Sequence, residues 1–209
     1  MAKLKSTFKN MFLSLSIICL AAALLLAQVN KMTAKPIAEA KALKLQTAIG
    51  QVVPEFDNDP IAESYMIASE GGDSLLVYPA TKDGEVVGFA ISSSSSGFSG
   101  EIQIMIGFDM DDKIVNYEIL QHAETPGLGS KMGEWFKDME SNSKSIIGRD
   151  MSLGTLAVTN DGGSVDAITA STITSRAFLN AVNKAYIAYS GSKLDSYSGA
   201  TTDDDTENN

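Results

Sequence analysis

The sequence predicts an α+β protein: an antiparallel sheet flanked by helices, preceded by one N-terminal transmembrane helix. Three observations carry this expectation. Lys9 and Lys31 enclose 21 residues without a charge. Between Ser74 and Gln121, apolar and polar residues alternate in short runs separated by turn residues. From Ile173 to Tyr189, Phe178, Ala181, Val182, Ala185, Tyr186 and Tyr189 recur at helical spacing. A helix–strands–helix order suits an α+β domain, and 209 residues allow one such domain plus an appendage.

The elements follow in order. Met11–Val29 is a 19-residue apolar core. As a helix it spans about 28 Å, close to the hydrocarbon thickness of a bilayer. It is longer than the apolar stretch of a cleaved signal peptide, and no A-x-A site follows it. Ile18 fills the place before Cys19 where a lipoprotein site needs a small residue. An uncleaved anchor is therefore expected. Met32–Gln51 is Ala- and Lys-rich and reads as a helix leaving the membrane, ending at Gly50. Residues 52–74 hold Pro54, Pro60, Asp57 and Asn58 and read as irregular.

Ser74–Pro79 and Glu85–Ser92 read as strands joined by a Lys82-Asp83-Gly84 turn. The serine run Ser92–Ser96 reads as a solvated loop. Glu101–Asp109 and Lys113–Gln121 are further strands around Asp111-Asp112, which makes 75–121 an antiparallel meander. Glu124–Gly129 (ETPGLG) is a rigid loop and Met132–Met139 a short helix. Ser164–Thr172 reads as a strand running into a turn before the Ile173–Tyr189 helix. Ser190–Asn209 has no periodicity, ends in an acidic run and reads as disordered. The organisation expected is an anchor at 1–31, a helix and connecting region at 32–83, a folded domain at 84–190 and an acidic tail at 191–209.

Composition excludes much chemistry. One Cys allows no disulfide framework and no Cys-based zinc or iron–sulfur site. One His allows no bis-His haem. Residues 1–45 hold seven Lys against Glu39, a charge of +6, which leaves nine basic and 25 acidic residues and −16 for the body. Such a body does not bind nucleic acid, whose phosphates require Lys and Arg. Lysines on both sides of the span leave its orientation open. No acidic cluster has ligand spacing, so no metal site is expected.

The segment with chemical potential is Asp166–Ala177 (DAITASTITSRA), which leads into the last helix. It gathers Thr169, Ser171, Thr172, Thr174 and Ser175 near a helix start that offers unpaired N–H groups and a positive dipole end. Two readings stand. Ser and Thr cap helices routinely. Alternatively the hydroxyls, N–H groups and Arg176 make an anion site, with phosphate the obvious candidate.

This segment resembles the flavinylation motif of the FMN-binding domain family, found in the G subunit of the Rnf ion-translocating electron-transport complex and the C subunit of the Na⁺-translocating NADH:quinone oxidoreductase. The pattern, Asp-x-x-(Ser/Thr)-Gly-Ala-Thr followed by x-Thr-Ser, places Asp166, Thr169 and Thr172 at its key positions, with Thr174, Ser175 and Arg176 continuing it. Gly97-Phe98-Ser99-Gly100 and the ETPGLG loop match in order, and the length suits the Rnf protein better. The resemblance implies FMN esterified through its phosphate to Thr172 by a separate Mg²⁺-dependent flavin transferase. It implies Glu124, Thr125, Leu128 and Gly129 beside the flavin. It also implies partners among the other membrane and redox subunits of an Rnf-type complex in the bacterial cytoplasmic membrane, with the body on the extracytoplasmic side.

The chain departs from the pattern where Ala170-Ser171 replaces Gly-Ala. If that position needs a positive φ, Ala170 is strained by about 1 kcal/mol or more. The tail holds a stricter copy, Asp195–Thr201, which makes Thr201 a rival acceptor. It lacks the following helix and precedes an Asp run that repels phosphate. His122 reads as a strand-end residue and Trp135 as core. The function expected is a flavinylated electron carrier contributing to Na⁺ or H⁺ translocation coupled to ferredoxin/NAD electron transfer. The alternatives are a non-redox membrane-tethered binding or assembly module on the same fold, and the FMN domain of another extracytoplasmic reductase.

Overall fold

The computed structural model describes residues 7–69 and 72–198, with side chains through residue 191. Helix α1 spans Phe8–Val52 and carries Pro36 in its interior. The chain divides within it into two units, Met1–Lys44 and Leu45–Asn209. In the first unit the helix is long and apolar enough to cross a membrane. Its leucines, isoleucines and phenylalanines from Phe8 to Leu26 are exposed, as a lipid-facing surface requires. The expected anchor and the expected Met32–Gln51 helix are thus one continuous element, reaching Val52 rather than Gly50.

The second unit is built on five antiparallel strands in sequential order: β1 (Tyr65–Ala68), β2 (Ser74–Lys82), β3 (Glu85–Ser96), β4 (Glu101–Asp109) and β5 (Ile114–Gln121). The meander is as expected, with one strand more. Strand β1 lies in the stretch read as irregular; it is only four residues and pairs with β2 from Tyr65↔Val77 to Ala68↔Ser74. The β2–β3 turn places Asp83 and Gly84 both at positive φ, 53° and 83°. That is the backbone a two-residue hairpin needs to match strand twist.

The serine run is a correction. It is not a loop but the end of β3, paired with β4 from Ser92↔Met105 to Ser96↔Glu101. Serine side chains do not disturb a backbone ladder, and β4 supplies the apolar partners Ile102 and Ile104 opposite Ser95 and Ser93.

Each face of the sheet is covered. On one, Ala48, Ile49, Val52 and Val53 pack against Tyr78, Ala80, Ala90 and Met105. Gly107 in β4 lets the α1 backbone come this close, because a Cβ there would collide with the Val52 carbonyl. On the other lies helix α3 (Thr172–Ser198), whose Phe178, Ala181, Val182, Ala185 and Tyr189 are buried as the spacing predicted. The long 122–171 connection joins this face through Met132, Phe136, Ile146, Met151, Val158, Val165 and Ile168. It contains a short helix α2 (Met132–Trp135), shorter than expected. Phe178 stacks on Phe136 at 4.5 Å and meets Tyr117 of β5 edge-on at 4.7 Å. Arg149 braces the connection by donating to Ser145 O, Asn142 O and Ser164 Oγ.

Two further expectations change here. Ser164–Thr172 is not a strand: Val165 makes one isolated parallel bridge with Val158, and the remainder turns into α3. A lone bridge suffices because Val165 and Ile168 are buried by side-chain packing rather than by a ladder. Helix α3 also runs past Tyr189 to Ser198, beyond the expected start of the tail. Thr201 and the end of its motif copy lie outside the described residues.

Candidate functional site

Three segments far apart in sequence meet at the start of α3: the Gly97–Gly100 turn between β3 and β4, the Glu124–Gly129 loop after β5, and residues 170–174. They line a cavity of about 470 Å³ with Phe98, Glu124, Thr125, Leu128, Gly129, Ala170, Ser171, Thr172, Ile173 and Thr174. This is within the size range of small-molecule sites.

Local hydrogen bonds shape the helix start. The Ser171 N–H donates to Ile168 O at 2.9 Å. The Ser175 hydroxyl donates to Ser171 O at 3.0 Å and accepts the Ile168 N–H at 2.9 Å. Ser175 is fully buried, so it pins the 168–171 turn onto the first helical turn from behind. The turn carries Ala170 at φ 61°, the left-handed region that its β-carbon disfavours. The strain anticipated for the Gly-to-Ala departure is therefore present. Ala170→Gly is expected to raise the unfolding free energy by about 0.5–1 kcal/mol, relief of strain outweighing the added freedom of the unfolded chain. Thermal unfolding of the two proteins checks this; a lower midpoint for the glycine variant contradicts it.

The structure separates the expected residues into two groups. Thr172, Ser171, Thr174, Glu124, Thr125, Leu128 and Gly129 line the cavity. Asp166, Thr169, Ser175 and Arg176 are not among its lining residues. Arg176 makes a bidentate pair with Asp161, at 2.7 and 2.6 Å. Its guanidinium holds the Asp161 carboxyl below the usual carboxylate range. The anion site read from the sequence as including Arg176 thus lacks that cation. Asp166 braces the connection through its backbone, accepting from Trp135 Nε1 at 2.9 Å and donating to Ser143 O at 2.6 Å. Trp135 packs against the core, as expected. His122 is exposed just beyond β5 and accepts the Glu124 N–H at Nδ1, 3.1 Å away.

Glu124 is buried, at 4% exposure. It accepts the Ser99 N–H at 3.0 Å and the Thr174 hydroxyl at 2.5 Å, one bond to each oxygen. Phe98, Ala170 and Ile173 complete the cavity although sequence reasoning did not assign them to it. Phe98, inside the Gly97–Gly100 motif, and Ile173, next to Thr172, are exposed apolar side chains, and that placement was the available signal.

The cavity has two chemically distinct parts. Ser171, Thr172 and Thr174 bring hydroxyls to a helix N-terminus, which favours an anion. Phe98, Leu128 and Ile173 are apolar and exposed. A hydroxyl-lined anion end joined to an apolar wall fits a phosphorylated aromatic ligand such as FMN. A larger cavity of about 530 Å³ lies at Ser69, Ser94–Ser96, Asn180, Asn183 and Lys184. There Asn183 is bonded to the Leu156 backbone and Lys184 to Asp73.

An FMN-binding domain family model matches residues 97–187, which include the whole cavity lining. The G subunit of the ion-translocating oxidoreductase complex of Yersinia pestis is 33% identical over 189 residues, covering 86% of this chain and 88% of that protein. The chain belongs to this G-subunit family. The G subunit of Photorhabdus laumondii subsp. laumondii is 36% identical over 170 residues, covering 77% of this chain and 79% of that one. Among solved structures, the C subunit of the Na⁺-translocating NADH-quinone reductase from Parabacteroides distasonis aligns at 22% identity with a TM-score of 0.43, covering 71% of this chain and 73% of that chain.

Proposed function

We propose that this chain is the membrane-anchored FMN electron-transfer subunit of an ion-translocating oxidoreductase complex of Rnf type, with FMN joined to Thr172 as a phosphoester. The observation that carries the reading is the Thr172 hydroxyl at the N-terminus of α3, inside a cavity that also holds an apolar wall. The relationship to the G-subunit family over most of the chain supports the complex, and the domain match supports FMN.

Each part of the site has a task in this reading. Thr172 Oγ would be the acceptor: the Oγ–P bond would form as a P–O bond of the flavin-phosphate donor breaks, the leaving group taking the hydroxyl proton, so that the chain gains FMN less one water. A Mg²⁺-dependent flavin transferase carries out that step. Ser171 and the first N–H groups of α3 stabilise the phosphate charge, while the Thr174 hydroxyl is committed to Glu124. Phe98, Leu128 and Ile173 would hold the ring on the apolar side of the cavity. The flavin supplies the redox chemistry, and the protein supplies its position and environment. The apolar part of α1 anchors the chain in the bacterial cytoplasmic membrane, with the body on the extracytoplasmic side. The other membrane and redox subunits are its partners. The complex couples ferredoxin/NAD electron transfer to Na⁺ or H⁺ movement.

The test is the intact mass of the full-length protein co-produced with a flavin transferase, followed by fragment mapping. The expected result is an acid-stable yellow adduct of FMN less water on the peptide containing Thr172. An adduct on Thr201 would move the redox centre into the acidic tail. A colourless chain of unmodified mass, with the transferase active on a control substrate, would favour a non-redox binding module.

A further inference from the structure

We propose that Phe98 is the aromatic wall of the flavin cavity, and that the Glu124 carboxylate is the positioning residue that holds the turn carrying it. This rests on the flavin reading of the same cavity. Phe98 sits at the tip of the β3–β4 turn, which is closed by the Gly97 N–H donating to Gly100 O at 2.7 Å. Phe98 is 68% exposed, yet it lines the cavity with Leu128 and Ile173. Core aromatics in this body are buried, as Phe108, Phe136 and Phe178 are. A large aromatic left at a concave site is a surface for a ligand. The isoalloxazine is planar and aromatic, the partner a phenyl ring stacks on.

Glu124 explains how the turn is held. One oxygen accepts from Ser99, the residue after Phe98, and the other from Thr174 in the first turn of α3. The carboxylate thereby ties the turn bearing Phe98 to the helix bearing Thr172. Two glycines make room for it. A Cβ on Gly97 would overlap Glu124 Oε1, and one on Gly129 would lie 2.7 Å from Oε2 and 2.8 Å from Thr174 Oγ1. The Thr174 bond, at 2.5 Å, has the length of a charge-assisted hydrogen bond, and the Ser99 bond, at 3.0 Å, that of an ordinary one. Glu124 therefore acts through the turn, and its bond to Ser99 sets where Phe98 stands.

The experiment uses the flavinylated full-length protein in detergent. Iodide quenching of flavin fluorescence is expressed per bound flavin, and the visible circular dichroism of the flavin is recorded beside it. In Phe98→Ala the quenching constant is expected to rise about threefold or more, the scale of one lost aromatic contact, with a weakened dichroic band. Glu124→Ala is expected to do the same with Phe98 still present. Glu124→Gln is expected to restore near wild-type quenching, since its amide oxygen still accepts from Ser99 and its NH₂ can donate to the Thr174 hydroxyl. Should Glu124→Ala not fold, Thr174→Val deletes the Oε2 bond with little change of shape, and is expected to raise quenching too. Wild-type quenching in flavin-loaded Phe98→Ala would overturn the wall. Wild-type quenching in folded Glu124→Ala or Thr174→Val would overturn the positioning role of Glu124. A wild-type chain that takes no flavin would overturn the flavin reading and this inference with it.

Discussion

Thr172→Val is expected to leave a folded protein that carries no covalent flavin. Valine reproduces the branched shape of threonine and removes only the hydroxyl. Thr172 is half-buried at the first position of a long helix. The rest of the local scaffold, the Ser171–Ile168 and Ser175–Ser171 bonds, does not involve its side chain. The cost in stability is therefore expected to stay below about 1 kcal/mol. The effect on flavin is far larger, because without the ester little holds the phosphate. No Lys or Arg is among the residues lining the cavity, and Arg176 is engaged with Asp161. Buried Glu124 lies in the same wall. A free phosphate monoester would enter with close to two negative charges and meet only hydroxyls and helix N–H groups. Washing is thus expected to leave a colourless chain of unmodified mass, while Thr172→Ser, which keeps an oxygen nucleophile, retains an adduct. A Thr172→Val protein with a full complement of FMN would place the ester elsewhere and refute the assignment.

Phe178→Ala is expected to be the most damaging single core truncation, at about 3–5 kcal/mol. Phe178 is fully buried. It joins three parts of the body: Tyr117 from the sheet, Phe136 from the 122–171 connection, and α3 itself. Its removal leaves a cavity that a rigid sheet on one side and a helix on the other cannot close, and it ends two ring contacts worth about 0.5–1.5 kcal/mol each. Domains are commonly stable by only about 5–15 kcal/mol, so the variant loses a large share of its margin. Urea unfolding followed by tryptophan fluorescence measures this directly, since Trp135 is the one tryptophan of the chain and packs against the same core. A loss below about 1.5 kcal/mol would mean that the site collapses to fill the space. The start of α3 also carries Thr172, so the yield of flavinylated protein is expected to fall with stability.

The apolar stretch of α1, the β2–β5 meander and the buried face of α3 were legible because each is a property of neighbouring residues. An uncharged run, a period of two and a period of 3.6 need no knowledge of the rest of the chain. The Asp83-Gly84 turn was legible for the same reason, as its residue types suit positive φ. The serine run was misread because its composition is that of a loop, whereas its strand comes from β4 lying alongside. Four-residue β1 carries too short a pattern to stand out from the prolines around it, and pairing with β2 makes it a strand.

By itself, then, the sequence determined the anchor, the order of the sheet and the helix, and the motifs of the G-subunit family, while the strain at Ala170 needed the φ of 61° that the fold imposes. Only the tertiary structure decided which motif residues meet. It placed Ser171, Thr172 and Thr174 in the cavity and Ser175 behind it. It bound Arg176 to Asp161 and brought Phe98 to the same wall as Ile173. It made Glu124 a tie between residues 25 and 50 positions away along the chain. The physical reason is range. Helical and strand periodicity report the face of one segment, whereas a hydrogen-bond or ion-pair partner is chosen by whatever group the packing of the whole body brings within about 3 Å.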